Sequence, residues 1–409
     1  MKEFFKVLDI EQVLGLRQGF DKVSLEEAHL EKAAGRIVGA DVYAGENLPG
    51  FARSTVDGYA VRAASTFGAS ESSPALFSLV GAVDMGEAPP LSVAPGQAVR
   101  ISTGGMLPPG ADSLVMLEHS EPLDETTIEV FRSVAPGQHV IAADEDFQSG
   151  ALIAAVGRRL RPQDVGLLAA LGRLRLTVFR QPVVGIISTG DEIVPVEDRP
   201  GPAQIRDVNR YTLAGLVSQA GALPVAFGIV RDQFQAIRAA CDRALKQCDM
   251  VLISGGSSVG ARDFTLDTIS TFDGAELLAH GIAISPGKPT ILARVFGKAL
   301  WGLPGHVASA MIVFSRIVRP FLLHIAGLAT PTTEEVRLPA RLTRNLASAQ
   351  GRTDFIRVRL LRRAGEWWAE PILGKSGLIN TMVISDGIIE IGKNIEGLDE
   401  GAPVEVMLF

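Results

Sequence analysis

The chain has only two cysteines among 409 residues, and no run of basic residues interrupts its net charge of −7. Cys241 and Cys248 cannot form the disulfide framework that staples small secreted domains. Both lie on the apolar stripe of QAIRAACDRALKQC, with Ile237, Ala244 and Leu245. Two helical turns separate their Cα atoms by roughly 10 Å, outside disulfide reach, so core thiols are expected. Without a basic field, a nucleic-acid partner is not expected. The six histidines include no HExxH or Cys/His ligand spacing, so no zinc site is expected. A Walker A lysine and a GxGxxG followed by a ribose-binding acid are also missing, against NTPase and dinucleotide readings. The N-terminal MKEFFKVLDIEQVLGL carries acids throughout and lacks the apolar core of a signal peptide, so a cytoplasmic protein is expected. The most apolar helical stretch, His306 to Ile325, holds Arg316, Arg319, Pro320 and His324, which predicts a buried helix rather than a membrane span.

What the chain does have is apolar mass, at 47% of residues, and turn formers, with 43 Gly and 23 Pro. That length exceeds what one hydrophobic core supports, so several domains are expected. From about Val183 to Ile325, apolar runs (VVGIIS, PVAFGIV, MVLIS) alternate with helix-spaced segments (NRYTLAGLVSQAG, QFQAIRAACDRALKQ, VASAMIVFSRIV). This alternation predicts a doubly wound α/β sheet. Ligands collect beyond the carboxyl ends of such strands, here at STGDE (188 to 192), SGGSSVGARD (254 to 263), SPGKP (285 to 289) and GLPGH (302 to 306). The stretch from about Tyr43 to Asp146 has short apolar runs separated by Pro/Gly pairs and reads as a β-rich insertion. Its flanks, SLEEAHLEKAAGRIVG and RRLRPQDVGLLAALG, have helical spacing and predict a linking domain. After Gly327, DFIRVRLL, GEWWAEPIL, GIIEIG and PVEVMLF predict a terminal β domain. The resulting division is 1–25 plus 169–326 for the α/β domain, 26–43 plus 147–168 for the linking domain, 44–146 for the β-rich domain and 327–409 for the C-terminal domain.

Ser254, Gly255, Gly256, Ser257, Ser258 and Gly260 follow a buried strand and offer backbone N–H groups suited to a phosphate or a pterin edge. A connecting turn rich in glycine explains the same residues equally well. Asp191, Glu192, Asp232 and Asp263 sit near strand ends, where carboxylates could hold Mg²⁺ or position a phosphate-bound metal. Asp232 and Asp263 also precede helical stretches, where an N-cap role weighs as much as function for Asp232 and less for Asp263. Lys288 can meet an oxyanion as a point charge, although most surface lysines do nothing of the kind. His306 is as well placed to start a helix as to act as a base. The acids from Asp144 to Asp146 suit a solvated turn, and Trp367-Trp368 suits strand packing. Taken alone, these residues point to an anion-binding α/β protein.

In order and spacing, these segments resemble the MoeA/gephyrin E-domain family, the molybdopterin molybdenumtransferases. The resemblance rests on DGYAV at Asp57 to Val61, VRISTGGMLPPGADSLVMLE at Val99 to Glu118, STGDEIV at Ser188 to Val194 and SGGSSVGARDFT at Ser254 to Thr265. PGKP at Pro286 to Pro289, GLPG at Gly302 to Gly305, GRTDFIRVRL at Gly351 to Leu360 and KSGLINTM at Lys375 to Met382 extend it over nearly the whole chain. It implies a four-part subunit ending in a β-barrel-like domain. It also implies a homodimer in which the β-rich domain of one subunit faces the α/β domain of its mate. The implied reaction takes adenylylated molybdopterin and molybdate, inserts the metal at the dithiolene and releases AMP with Mg²⁺. Molybdenum-enzyme maturation proteins are possible further partners.

By position, the resemblance implies catalytic roles for Asp57, Asp146, Glu192, Asp232, Asp263 and Lys288, with Glu192 and Asp263 at the metal. It implies binding of the cofactor substrate or oxyanion by Thr103, Ser188, Thr189, Gly190, Asp191, the Ser254–Gly260 loop, Pro286, Gly287, Gly302, Pro304, Gly305, Arg352 and Ser376. The chain departs from the family pattern at several places. Ala52 and Arg53 stand where the family has an acid and an amide, and Leu266 and Ser285 where it has lysines. His306 and Val307 replace Asn-Pro. Loss of two lysines opens an alternative, a noncatalytic molybdopterin-binding or insertion chaperone.

Overall fold

A computed structural model describes residues 7–255, 264–330 and 336–409. The chain divides into two compact units: 1–40, 156–161 and 175–409 form the larger, while 41–155 and 162–174 form the smaller.

In the larger unit the apolar run of MVLIS becomes the strand Met250–Ser254, buried at every position. A strand covered on both faces needs apolar side chains on both, which is why the sequence is continuous rather than alternating. It is central to a six-stranded sheet ordered Leu223–Val230, Val183–Thr189, Met250–Ser254, Lys298–Leu303, Ile291–Val295, Glu276–His280. The first four strands are parallel, Ile291–Val295 runs antiparallel to them, and Glu276–His280 runs antiparallel to Ile291–Val295. Asn209–Gln219 and Phe234–Gln247 are helices as their spacing predicts. The Phe234–Gln247 helix buries Ile237, Ala240, Cys241, Ala244 and Leu245 on one side, and both cysteines are free and buried.

Because the Ile291–Val295 strand runs against its neighbour, its entrance lies at the same edge as the exits of the parallel strands, with Ile291 paired to Gly302. SPGKP therefore reaches the ligand edge by leading into a strand, where the sequence suggested a loop leaving one.

The helical run 307–325 is long and apolar enough to cross a membrane, but Ala308, Ile312, Val313, Phe314, Ile317, Phe321 and Leu322 have zero exposure inside the core. Trp301 packs edge-on against Phe321, with centroids 5.0 Å apart. A π-helical turn at Phe314–Val318 interrupts the run ahead of Pro320.

The C-terminal strands form a closed ring. Thr353–Arg363, Glu366–Pro371, Arg337–Leu342, Pro403–Leu408 and Gly387–Ile391 pair in turn, and the last pairs back to the first. Closure removes exposed strand edges. A short strand, Ile284–Ser285, runs parallel to the start of this ring, pairing Ile284 with Thr353 and Ser285 with Asp354. That register brings Arg352 to the segment carrying Lys288.

One expectation fails within SLEEAHLEKAAG. Leu25–His29 is a strand antiparallel to Arg175–Phe179, followed by a 3-10 turn at Leu30–Lys32. Its helical spacing is overridden because pairing satisfies its backbone and buries Ala28, while Leu25, Glu26, Glu27 and His29 stay exposed. The smaller unit holds a six-stranded sheet ordered Ser113–Met116, Gly58–Val61, Gln97–Ile101, Ala75–Val83, Thr127–Val130, Ser120–Pro122. Tyr59, Phe77, Val115 and Ile128 fill its core.

Candidate functional site

At the carboxyl edge of the parallel strands, within the larger unit, lies an open cleft of about 1280 Å³. Its floor is made where three strands end. Thr189 and Gly190 finish the first, Ser254 and Gly255 the second, and Pro304 and Gly305 the third. Gly255 is required here: its φ is +106°, and a Cβ would sit 2.2 Å from the Thr189 carbonyl oxygen. Asn209, at the start of its helix, ties two of these ends together. Its Nδ2 donates to Ser254 Oγ at 2.6 Å and to the Gly305 carbonyl at 2.7 Å.

One wall is acidic, with Glu192, Asp207 and Asp232. Asp232 does not cap the following helix. The N-cap position is Gln233, with no side-chain cap bond. The Asp232 N–H instead donates to Asp191 Oδ1 at 3.3 Å, and its own Oδ1 is buried without a hydrogen-bond partner among the described residues. Its carboxyl is pushed above the ordinary value, first by desolvation and then by the charges of Asp191 and Glu192. Asp191 itself is exposed and stands outside the cleft lining.

The opposite wall carries donors. Pro286, Gly287 and Lys288 form one rim. Arg352, 45% exposed, also lines the cleft and is oriented by an ion pair from Nε to Asp354 Oδ1 at 2.9 Å. Asp354 is fixed in turn by Ser348 Oγ at 2.7 Å. Ser376 Oγ lies 2.9 Å from His306 Nδ1. His306 holds the N-cap position of the Val307–Val313 helix, so the departure from the family's asparagine places an imidazole in the cleft. Ser285 lines the same wall.

The expected residues are thus partly gathered. Glu192, Asp232, Lys288, Thr189, Gly190, Ser254, Gly255, Pro286, Gly287, Pro304, Gly305, Arg352 and Ser376 share the cleft. Ser188 is buried inside its strand at 1% exposure, and Gly302 is an interior strand residue; neither lines it. Gly256, Ser257, Ser258, Gly260 and Asp263 lie outside the described residues. Asp57, Thr103 and Asp146 belong to the smaller unit, where Asp57 Oδ1 accepts from the Thr103 N–H at 2.7 Å and from its hydroxyl at 3.2 Å. Asp146 is exposed, its N–H donating to the Leu48 carbonyl. Among the described residues, no group of three or more His, Cys, Asp or Glu side chains is spaced to hold a metal ion. Asp207 and Asn209 were not anticipated. Their only sequence signal is two polar residues at the start of a helix, indistinguishable from capping.

Family models match the MoeA N-terminal region (domain I and II) at 8–172, a probable molybdopterin binding domain at 185–324 and the MoeA C-terminal region (domain IV) at 339–409. The chain belongs to the MoeA family. It is 32% identical to a molybdopterin molybdenumtransferase of Bacillus subtilis, over 93% of this chain and 89% of the relative. A molybdopterin molybdenumtransferase 2 of Mycobacterium tuberculosis is 31% identical, over 92% and 93%. A crystal structure of a MoeA molybdopterin biosynthesis protein from Pyrococcus horikoshii OT3 superposes with a TM-score of 0.85 at 30% identity, covering 99% of this chain and 100% of that one. The MoeA architecture, an α/β domain joined to β-rich parts, is therefore this chain's own. Relatives named as transferases do not favour the noncatalytic alternative.

Proposed function

We propose that this MoeA-family chain is a molybdopterin molybdenumtransferase of the cytoplasm, inserting molybdate into adenylylated molybdopterin with release of AMP. The carrying observation is the two-sided cleft, with Glu192 and Asp232 on one wall and Lys288, Arg352, His306 and Ser376 on the other. A tetrahedral dianion fits the donor wall. Arg352 offers a planar fork already oriented by Asp354, Lys288 a mobile point charge, and Ser376 a hydroxyl that His306 orients.

The acidic wall supplies two carboxylates for Mg²⁺, and Asp232 has a buried oxygen without a partner among the described residues and a pKa raised first by burial and then by neighbouring acids. Hard carboxylate oxygens of Glu192 and Asp232, with Asp263, would hold it. Bound there, it would neutralise charge on the substrate's phosphates. The chain's own contribution is to bind the two substrates at opposite walls, oriented toward one another.

The same reading includes a homodimer, in which the partner subunit's Asp57 and Thr103 act with this cleft. Support comes from the family resemblance and from the Asp57–Thr103 pairing. Incubating purified protein with adenylylated molybdopterin, molybdate and Mg²⁺ should release AMP. Asp232→Asn and Arg352→Ala should each lower that release at least tenfold, and unchanged release in both would refute the assignment.

A further inference from the structure

Asp207 and Asn209 flank the start of the Asn209–Gln219 helix, and both are almost fully buried yet line the cleft, at 3% and 9% exposure. Helix capping accounts for half of Asp207. Its Oδ1 accepts the Arg210 N–H at 3.1 Å, whereas its Oδ2 is buried with no hydrogen-bond partner among the described residues. Asn209 is similarly divided. The Gly305 carbonyl can only accept, so the side-chain atom 2.7 Å from it must be the amide nitrogen. That orientation leaves Asn209 Oδ1 as a second buried acceptor without a partner. Buried acceptors are costly when left unsatisfied, so a ligand that brings two donors is favoured there.

We infer that Asp207 Oδ2 and Asn209 Oδ1 receive the N–H edge of the pterin ring, its 2-amino group and adjacent ring N–H. This rests on the proposed function, since it says which part of the substrate lies at which place. Thr189, whose hydroxyl is also buried and unpartnered, lines the same cleft and can donate to the ring carbonyl beside those N–H groups. Ribose hydroxyls of the adenylyl group are also donors. The pterin edge carries two neighbouring N–H donors on one rigid ring, one for the free Asp207 carboxylate oxygen in a charge-assisted pairing and one for the Asn209 amide oxygen, which favours the pterin.

The test uses the full chain and two probes, 6-hydroxymethylpterin followed by its fluorescence and AMP followed by calorimetry. Asp207→Asn removes the charge, and Asp207→Ser keeps a cap acceptor but no second oxygen. Either variant that retains the wild-type melting temperature should bind the pterin roughly tenfold to a hundredfold more weakly, with AMP affinity within about twofold. Unchanged pterin affinity in a folded variant overturns the assignment, as does a loss confined to AMP. If the wild type binds neither probe, the proposed function falls with it; if only the variants fail to differ, that function stands and this inference alone is wrong.

Discussion

At the scale of single residues, the acidic wall of the cleft costs stability at neutral pH. Asp232 has a raised carboxyl pKa, caused first by burial and then by Asp191 and Glu192. A raised carboxyl pKa means the folded state binds the proton more tightly than the unfolded chain. Its contribution is therefore fully present below the ordinary value of 3.8 and is lost as the pH rises through the raised value. Asp232→Asn should therefore melt higher than the wild type at pH 7, with the difference shrinking toward pH 4 and AMP release lost. A lower melting temperature at pH 7 would show that Asp232 is structurally paired instead. On the donor wall, Ser285 stands where the family pattern has lysine. Ser285→Lys should tighten molybdate binding and Arg352→Ala should weaken it, each by about tenfold to a hundredfold in calorimetry. The thiols are quiet by comparison. Burial pushes Cys241 up to about 12 and Cys248 up to about 11, so neither should be alkylated in the folded protein at pH 8.

At the scale of elements, periodicity was a good guide where local pattern and tertiary demand agree. MVLIS and VVGIIS are strands because burial on both faces needs continuous apolar residues. SLEEAHLEKAAG misled because its helical spacing competes with an antiparallel partner, Arg175–Phe179, about 150 residues away in sequence. The site was legible to the same degree. Its loops are marked by Gly and Pro, and Arg352 and Ser376 are placed by family position, but nothing local shows that Ser285 pairs with Asp354, far along the chain, in the C-terminal sheet. Asp207 and Asn209 are not legible in the sequence, because polar residues at a helix start read the same whether they cap the helix or line a cleft. Gly255 tests how tightly the loops are set. Gly255→Ala would force a Cβ against the Thr189 carbonyl at a positive φ, costing roughly 1 to 3 kcal/mol. The expected result is a small fall in melting temperature with a large loss of pterin binding, the strands themselves remaining folded.

At the scale of the whole molecule, the residues to which the family resemblance assigns catalysis fall in two compact units, with Asp57, Thr103 and Asp146 in one and the cleft in the other. If the dimer combines them between subunits, an inactive Asp57→Ala protein and an inactive Asp263→Ala protein should partly restore activity after subunit exchange. Each mixed dimer then has one intact combination, whereas demonstrated exchange without recovery would argue for sites contained in single subunits. The most direct measurement is the stoichiometry of AMP released to molybdenum incorporated when the purified chain is given adenylylated molybdopterin, Mg²⁺ and molybdate. One AMP per molybdenum, with release falling when molybdate is withheld, is the expected result. Tight pterin binding with no AMP released under either condition would contradict the transferase reading.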